Sequence, residues 1–321
     1  MEVILSIMIS YFKNILILVF AIFIMGFVAA EQINLSQWNM EDKVRQTVIV
    51  SAESYNNLKN KNMGGIFFST AKQLNSAEEY KDMINDLQKQ SSIKLFVSAD
   101  LEGYWNPFSK FYDGKIFGEI KNGEEAYEIG IEHGKLLKEI GFNLDFSPVV
   151  ETRNNVWPGR SFSGSEEEIK EKIKYYIRGL QENDILATAK HYPGGSMIKN
   201  PHWKKYKTEI FPEDLKLFDY TIRQNIDAVM VGHPIVYGAI NSGGKQSSVS
   251  PSVIANLRKN FNGLIISDAI TMLGLRVSYL GKFNYIYIDL IKAGNDIILD
   301  VPFSIFVSGA DSIEKRVKIT A

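Results

Sequence analysis

The stretch Ile185-Leu186-Ala187-Thr188-Ala189-Lys190-His191-Tyr192-Pro193-Gly194-Gly195 passes from an apolar run into a Lys–His pair and a Pro-Gly-Gly turn. Asn200-Pro201-His202 follows a short loop later. A continuous apolar run is typical of a parallel strand that is buried on both faces. Since α/β barrels carry their active sites at the carboxyl ends of such strands, the stretch predicts an α/β fold with a site at this point.

Seven further runs of the same kind extend this prediction to most of the chain. They are 47–51, 65–69, 94–99, 143–148, 227–232, 264–267 and 296–299. Helical spacing separates them, for example over Glu124–Ile140, which ends at Gly141, and over Glu166–Asn183. Eight such units predict a single-domain (β/α)8 TIM-type barrel over residues 31–321 that is abbreviated at its C-terminal end. A doubly wound open sheet is the alternative.

Polar side chains follow most of the predicted strands. They are Asp100, Glu102, Arg160, Lys190, His191, His233 and Asp268. In a barrel the carboxyl ends of all strands meet at one end, so we expect these side chains to lie around one site.

Composition narrows the classes of function. The 321 residues carry a formal net charge of −1 and no basic block, which argues against a nucleic-acid partner. The absence of cysteine excludes disulfides, thiolate metal sites, a cysteine nucleophile and a lipid-modified cysteine anchor.

The N-terminus predicts export. Lys13 precedes an apolar run over residues 14–30 that ends in Val28-Ala29-Ala30, a suitable cleavage site. Residues 1–30 are therefore read as a cleaved signal peptide or, alternatively, a retained membrane anchor. Either way we expect an extracytoplasmic domain whose membrane contact runs through this segment only.

Several motifs in order give the chain a family resemblance. They are Met40-Glu41-Asp42-Lys43-Val44, Gly64-Gly65-Ile66-Phe67-Phe68, Asp100-Leu101-Glu102-Gly103, residues 141–149, Gly159-Arg160-Ser161-Phe162 and residues 265–272. Over residues 38–300 the chain resembles the N-terminal barrel of glycoside hydrolase family 3, most closely its β-N-acetylhexosaminidase branch.

The resemblance implies a role for each matched residue. Asp268 would be the nucleophile of a retaining mechanism, and His202 the acid/base, with Asn200 in the position of its partner. The residues that would bind the sugar are Asp100, Arg160, Lys190 and His191. The substrate would be a glycan with a β-linked amino sugar, and neither a metal nor a cofactor is implied.

Plainer structural roles are open for the same residues. Asp268 could cap a helix over residues 269–273. The sugar-binding set could be a structural network of ion pairs. His233 reads as a buried, hydrogen-bonded core residue. The aromatic candidates for sugar stacking, which packing would explain equally well, are Trp105, Trp157 and Trp203.

The catalytic loop departs from the family pattern. Asn200 replaces an aspartate, Pro201 a serine and Gly195 a histidine, and the loop is about one residue short. Tyr104-Trp105 replaces Gly-Arg, and Ser312–Lys318 reads as a remnant of the last helix.

The primary hypothesis is an exo-hydrolase of terminal β-linked N-acetylglucosamine that acts on peptidoglycan fragments. The alternatives are a catalytically impaired barrel that binds cell-wall glycans or partners, and a hydrolase of β-glucosides or β-xylosides.

Overall fold

The structure is a computed structural model that describes residues 36, 38–52, 63–71 and 73–302. Residues Met40–Ala321 form one compact unit. The predicted leader, which belongs to a separate unit over Met1–Asn39, and the predicted helix remnant Ser312–Lys318 lie outside the described residues. Within the described part of the chain, no helix is long and apolar enough to cross a membrane.

Eight parallel strands form the main sheet, and all eight were predicted. In chain order they are β1 Val48–Ser51, β2 Gly65–Phe68, β3 Phe96–Ala99, β4 Leu144–Asp145, β5 Leu186–Tyr192, β7 Ala228–Val231, β9 Leu264–Ser267 and β10 Ile298–Val301. Their order is β10-β1-β2-β3-β4-β5-β7-β9. A parallel bridge between Ile266 and Ile297 joins β9 to the chain just before β10, so the sheet nearly closes on itself. This confirms the barrel and excludes the open sheet.

The strands are buried on both faces, as their apolar runs predict. One core cluster fills the interior of the barrel and includes Ile49, Phe67, Leu144, Phe146, Met230, Ile266 and Leu299. A larger cluster lies between the strands and the helices and includes Val50, Phe68, Ile84, Leu137, Ile173 and Ile265. Alternate residues of a strand thus enter different cores, which is the two-sided packing of a barrel.

Eight α-helices accompany the strands among the described residues. They are α1 Met40–Gln46, α2 Ala77–Gln90, α3 Gly123–Ile140, α4 Glu166–Gln181, α5 Pro212–Ile222, α6 Pro251–Arg258, α7 Leu273–Arg276 and α8 Asn284–Ala293. Asn122 caps α3, and Gly141 ends it with a φ of 96° that glycine adopts without strain. Ser165 opens α4 in a capping box with Glu168.

A second, two-stranded sheet was not predicted. Strands β6 Lys207–Ile210 and β8 Ile235–Gly238 pair in parallel. Only alternate residues of β6 are buried, so it lacks the continuous apolar run that marks the barrel strands. Because β6 begins five residues after His202, this sheet holds the far end of the loop that carries the predicted acid/base.

Candidate active site

A cavity of about 310 Å³ opens at the carboxyl ends of the barrel strands. Its lining includes six of the seven predicted site residues: Asp100, Arg160, Lys190, His191, His202 and Asp268. The seventh, Asn200, contacts His202. The structure therefore brings together the residues that the strand-end argument and the resemblance selected.

Two cations and two carboxylates form an ion-pair cluster at the base of the cavity. Lys190 Nζ lies 2.6 Å from Asp100 Oδ1 and 2.8 Å from Glu102 Oε1. Arg160 donates to both oxygens of Glu102, at 2.7 and 2.9 Å. Glu102 is fully buried, whereas the Asp100 side chain is 27% exposed. Glu102 is thus the internal anchor, and Asp100 presents its carboxylate to the cavity.

The ion pairs outweigh burial at Glu102 and Lys190, whereas at Asp100 burial outweighs the neighbouring cations and raises the pKa of the carboxyl. Burial alone would raise the pKa of Glu102, but the Arg160 guanidinium and the Lys190 ammonium outweigh it and hold that pKa below its usual range. Burial would lower the pKa of Lys190, but the two carboxylates hold it above its usual value. Glu102 therefore has a structural role in the cluster, and its ion pairs with Arg160 and Lys190 fix the two donors that face the cavity.

Glu151 is a buried partner of His191 that the sequence reasoning missed. His191 Nδ1 lies 2.8 Å from Glu151 Oε1, and Oε2 accepts a hydrogen bond from the Ser196 N–H at 2.6 Å. Burial raises the pKa of Glu151 to about 8, and burial together with nearby cations lowers the pKa of His191 well below its usual value. At pH 7 the carboxyl therefore donates to Nδ1, and the ring hydrogen of His191 is on Nε2.

His202 is exposed and is oriented by Asn200. The amide oxygen Oδ1 of Asn200 accepts from the backbone N–H of His202 at 2.9 Å and lies 3.0 Å from Nδ1 of the ring. A backbone N–H can only donate, so the oxygen of the amide must face it, and Nδ1 must then carry a hydrogen. Nε2 is left as the nitrogen that can transfer a proton.

The loop that carries His202 is bound to the segment after β9. Gly274 N–H donates to Pro201 O at 2.8 Å, and Leu273 N–H donates to His202 O at 3.3 Å. A Cβ on Gly274 would lie 2.6 Å from Pro201 O, so only glycine permits this approach. Gly195, at the start of the loop, has a φ of 79° and would place a Cβ 2.5 Å from Thr208 Cγ2. The family histidine thus has no room here without rearrangement.

Asp268 is held directly beyond β9. One oxygen, Oδ1, accepts from the Ala269 N–H at 2.8 Å, and the Asp268 N–H donates to Val231 O at 3.0 Å. His233 supports the same turn, since its Nε2 donates to Ala269 O at 3.0 Å. Helix α7 begins only at Leu273, so Asp268 does not cap it, and the capping alternative is wrong.

The three tryptophans separate into two groups. Trp157 and Trp105 line the cavity, with ring centres 5.0 and 6.0 Å from the guanidinium carbon of Arg160. Trp203 is 74% exposed and does not line the cavity. Stacking on a sugar inside the cavity is thus open to the first two only.

Among the described residues no group of His, Asp and Glu side chains is arranged to hold a metal ion.

Comparisons with known proteins identify the family of the chain. Residues 39–319 match the model of the glycosyl hydrolase family 3 N-terminal domain. A β-hexosaminidase of Psychromonas ingrahamii is 27% identical over 260 residues, which cover 75% of this chain and 76% of the relative. One of Haemophilus influenzae is 26% identical over 242 residues, which cover 69% and 68%.

Solved structures share the fold. A family 3 glycosyl hydrolase of Mycobacterium smegmatis superposes with a TM-score of 0.79 at 24% identity, over 89% of this chain and 93% of that one. A β-N-acetylhexosaminidase of Beutenbergia cavernae gives 0.76 at 17% identity, over 88% and 93%. The family match spans nearly all of the described barrel, and on that ground the chain belongs to glycosyl hydrolase family 3.

Proposed function

We propose that this chain is a retaining exo-glycosidase that hydrolyses terminal β-linked N-acetylglucosamine. The observation that carries the proposal is the Asn200–His202 contact, which leaves Nε2 of a cavity-lining imidazole available for proton transfer while Asp268 lines the same cavity. The family supports glycoside hydrolysis, and the relatives named β-hexosaminidase support the amino sugar.

The reaction follows from two residues. Oδ1 of Asp268 is occupied by the Ala269 N–H, so Oδ2 attacks the anomeric carbon. The bond from that carbon to the glycosidic oxygen breaks, and Nε2–H of His202 protonates the leaving oxygen. Water then attacks the glycosyl–Asp268 ester, His202 takes its proton, and the carboxylate of Asp268 leaves.

The remaining cavity residues bind the sugar. Asp100 accepts hydrogen bonds from hydroxyls, and Lys190, Arg160 and His191 donate to hydroxyls and to the acetamido oxygen. Such charged hydrogen bonds are directional and can favour a distorted ring in the transition state. A volume of about 310 Å³ is at the small end of ligand sites and suits one terminal residue, which supports exo action.

The natural setting is a further part of the proposal. The apolar segment 14–30 supports a site of action outside the cytoplasm, where peptidoglycan fragments would supply the β-linked amino sugar. This part is tested separately, by locating the protein in cell fractions and by assaying muropeptides as substrates.

A catalytically impaired barrel that binds glycans without turnover is the second candidate. The observation that favours it is the amide at position 200, which can orient His202 but supplies no negative charge to stabilise the imidazolium. We favour the primary hypothesis because the contact with Asn200 leaves Nε2 of His202 free to transfer a proton, and because His202 and Asp268 line the same cavity.

The test is an assay of the full-length chain on a chromogenic β-N-acetylglucosaminide from pH 5 to 8. We expect turnover that Asp268→Asn abolishes. If the wild-type chain shows saturable binding of N-acetylglucosamine but no turnover above Asp268→Asn, the second candidate replaces the first. Faster turnover of a β-glucoside or β-xyloside would overturn the choice of sugar.

A further inference from the structure

Two surface segments lie side by side next to the mouth of the cavity. They are residues 199–207 and residues 273–282, and we call them together the basic–apolar rim. Besides the two backbone hydrogen bonds of Pro201 and His202, Lys205 Nζ lies 3.3 Å from Ser278 Oγ and joins the segments. Pro201 and His202 also line the cavity, so the rim is continuous with the site.

The rim concentrates exposed apolar side chains. Leu280 is 90% exposed, Trp203 74%, Leu273 44% and Val277 40%. These are four of the nine large hydrophobic side chains that are exposed in the described part of the chain. Single exposed apolar residues are normal on soluble proteins, but a group of them beside a functional cavity indicates a surface that contacts something apolar.

The same rim is uniformly cationic. It contains six basic residues and no aspartate or glutamate: Lys199, Lys204, Lys205, Lys207, Arg276 and Lys282. None of them takes part in an ion pair with another described residue. Because the whole chain has a net charge of only −1, this is a local separation of charge.

We propose that the basic–apolar rim binds the surface of an anionic lipid bilayer. Lysines are attracted to acidic headgroups, and tryptophan and aliphatic tips enter the boundary between headgroups and acyl chains. Leu280, Val277 and Leu273 argue against a nucleic acid or a glycan, which would offer them no apolar partner. If the rims of two copies of the chain met, the six cations of one rim would face the six cations of the other and repel them.

This surface is additional to the N-terminal segment, which is the one membrane contact that the sequence predicts. It also stands whether or not the chain is an active glycosidase. Bound in this way, the mouth of the cavity faces the headgroups, so the glycan that enters it is one held near the membrane surface.

The chain contains no cysteine, so one introduced thiol can carry an environment-sensitive fluorophore at a chosen position. We would label full-length Leu280→Cys and, as the matched control, Glu139→Cys on the exposed surface of α3 near its C-terminal end. On vesicles rich in phosphatidylglycerol we expect the emission of the fluorophore at position 280 to shift to the blue and that of the fluorophore at position 139 to stay unchanged. On phosphatidylcholine alone we expect no shift at either position.

Charge reversal tests the lysines. Each lysine at an anionic surface contributes about 1 kcal/mol, or about five-fold in affinity, so Lys204→Glu/Lys205→Glu should weaken the binding reported at position 280 by at least about 25-fold. Lys81→Glu/Lys89→Glu on the exposed surface of α2 changes net charge equally and should leave it unchanged.

Three outcomes would overturn the proposal. They are an unshifted probe at position 280 on anionic vesicles, equal shifts at 280 and 139, or equal weakening by the two charge reversals. A blue shift that needs no vesicles and grows with protein concentration would assign the rim to a second copy of the chain instead.

Discussion

Asn200 sets the chemistry of the proposed acid/base at the scale of single residues. Its amide oxygen accepts from both the backbone N–H and Nδ1 of His202, so it already occupies the position that a carboxylate would take. Pro201 restricts Asn200 to an extended backbone, which suits this short-range contact. What the amide lacks is charge.

We therefore expect Asn200→Asp to raise kcat. The carboxylate would keep both hydrogen bonds and stabilise the imidazolium that donates the proton. An aspartate-to-asparagine change costs roughly 10⁴ in rate in the serine-protease triad, and general acid–base catalysis contributes about 10²–10⁴, so a gain of about 10²-fold or more is expected.

Steady-state kinetics on the chromogenic substrate measures this gain, with Asn200→Ala as the control that should be slower than wild type. A lower kcat for Asn200→Asp would mean that His202 is not the acid/base.

Glu151 gives a second prediction, about the pH profile. Its pKa of about 8 means that it is protonated at pH 7 and loses its proton as the pH rises through 8. Glu151→Gln can still accept from the Ser196 N–H and donate to Nδ1 of His191. We therefore expect near wild-type kcat/KM at pH 7 and a shallower decline than that of the wild type as the pH rises through 8, since the part of the decline that comes from Glu151 is removed.

Glu151→Ala should lower kcat/KM about 5- to 100-fold at pH 7, since it leaves Nδ1 of His191 and the Ser196 N–H buried without a partner, which costs about 1–3 kcal/mol. Glu139→Gln, exposed on α3, is the matched control. If kcat/KM of Glu151→Gln declines as steeply as that of the wild type near pH 8, the proton of Glu151 does not affect activity and Glu151 has only a structural role.

The two residues also show what can be predicted at this scale. Asn200 and His202 were paired through the resemblance, and the structure places them in contact. Glu151 lies three residues beyond the fourth predicted strand and outside the motifs that carry the resemblance, so the resemblance does not mark it as a site residue. The strand-end rule that selected Asp100 applies equally to it, and would have found it.

At the scale of elements, the His202 loop depends on its contact with α7. The first turn of that helix offers unpaired N–H groups, and Pro201 and His202 satisfy two of them with their carbonyl oxygens. The approach is close enough that a Cβ on Gly274 would also lie 2.9 Å from Lys204 O. The loop and the helix are thus packed closely against each other, and a displacement of one would displace the other.

We expect Gly274→Ala to displace the loop and lower kcat/KM by about 10²-fold, since a shift of about 1 Å in a catalytic group can cost that much. The melting temperature should fall only slightly, because the loop is at the surface. Both quantities are measured on one preparation, by steady-state kinetics and by circular dichroism.

Gly243→Ala is the reference variant. Its Cβ would meet no atom within 4 Å, but its φ of 65° imposes strain of about 1 kcal/mol. It should therefore lose stability without losing activity. Equal activity losses in the two variants would show that the contact of α7 with the loop does not position His202.

The elements themselves were mostly predictable. All eight barrel strands are visible in the sequence as apolar runs, because their side chains are buried on both faces of the sheet. Gly141 ends α3, as the sequence predicts. Strands β6 and β8 were not found, since β6 is buried on one face only and its pairing partner lies 28 residues further on. Pairing at that distance leaves no local pattern.

At the scale of the whole molecule, a buried polar network ties the barrel to its outer helices. Asp145 in β4 accepts from the Leu101 N–H at 2.9 Å, and its other oxygen bonds Ser147. Ser147 Oγ is 2.9 Å from Tyr176 Oη on α4, and that hydroxyl is 2.8 Å from Nδ1 of His133 on α3. The network ends beside the Asp100–Glu102 turn of the site.

The two ionisable ends of this network have opposite effects on stability. Burial raises the pKa of Asp145 to about 7, so its contribution is fully present below about pH 4 and is lost as the pH rises through 7. Burial lowers the pKa of His133 to about 3, so its contribution is present above about pH 6.5 and is lost as the pH falls through 3. Between pH 4 and 6.5 the free energy of unfolding falls with pH because of Asp145 and rises with pH because of His133, and these two effects nearly cancel.

Asp145→Asn should remove this balance. Asparagine can accept from the Leu101 N–H, and its amide nitrogen can donate to Ser147 Oγ once the Ser147 hydroxyl, which now donates to Asp145, turns to Tyr176 Oη, so the fold should be kept. The variant lacks the decrease in the free energy of unfolding with pH that the titration of Asp145 causes. Between pH 4 and 6.5 its free energy of unfolding should therefore rise relative to that of the wild type by up to about 1.4 kcal/mol per pH unit. Urea unfolding at pH 4, 5 and 6 measures this difference, with Asp82→Asn on the exposed side of α2 as the control. Parallel stability profiles of Asp145→Asn and wild type would mean that Asp145 is ionised in the folded barrel, and the link between the site and the outer helices would then carry a charge.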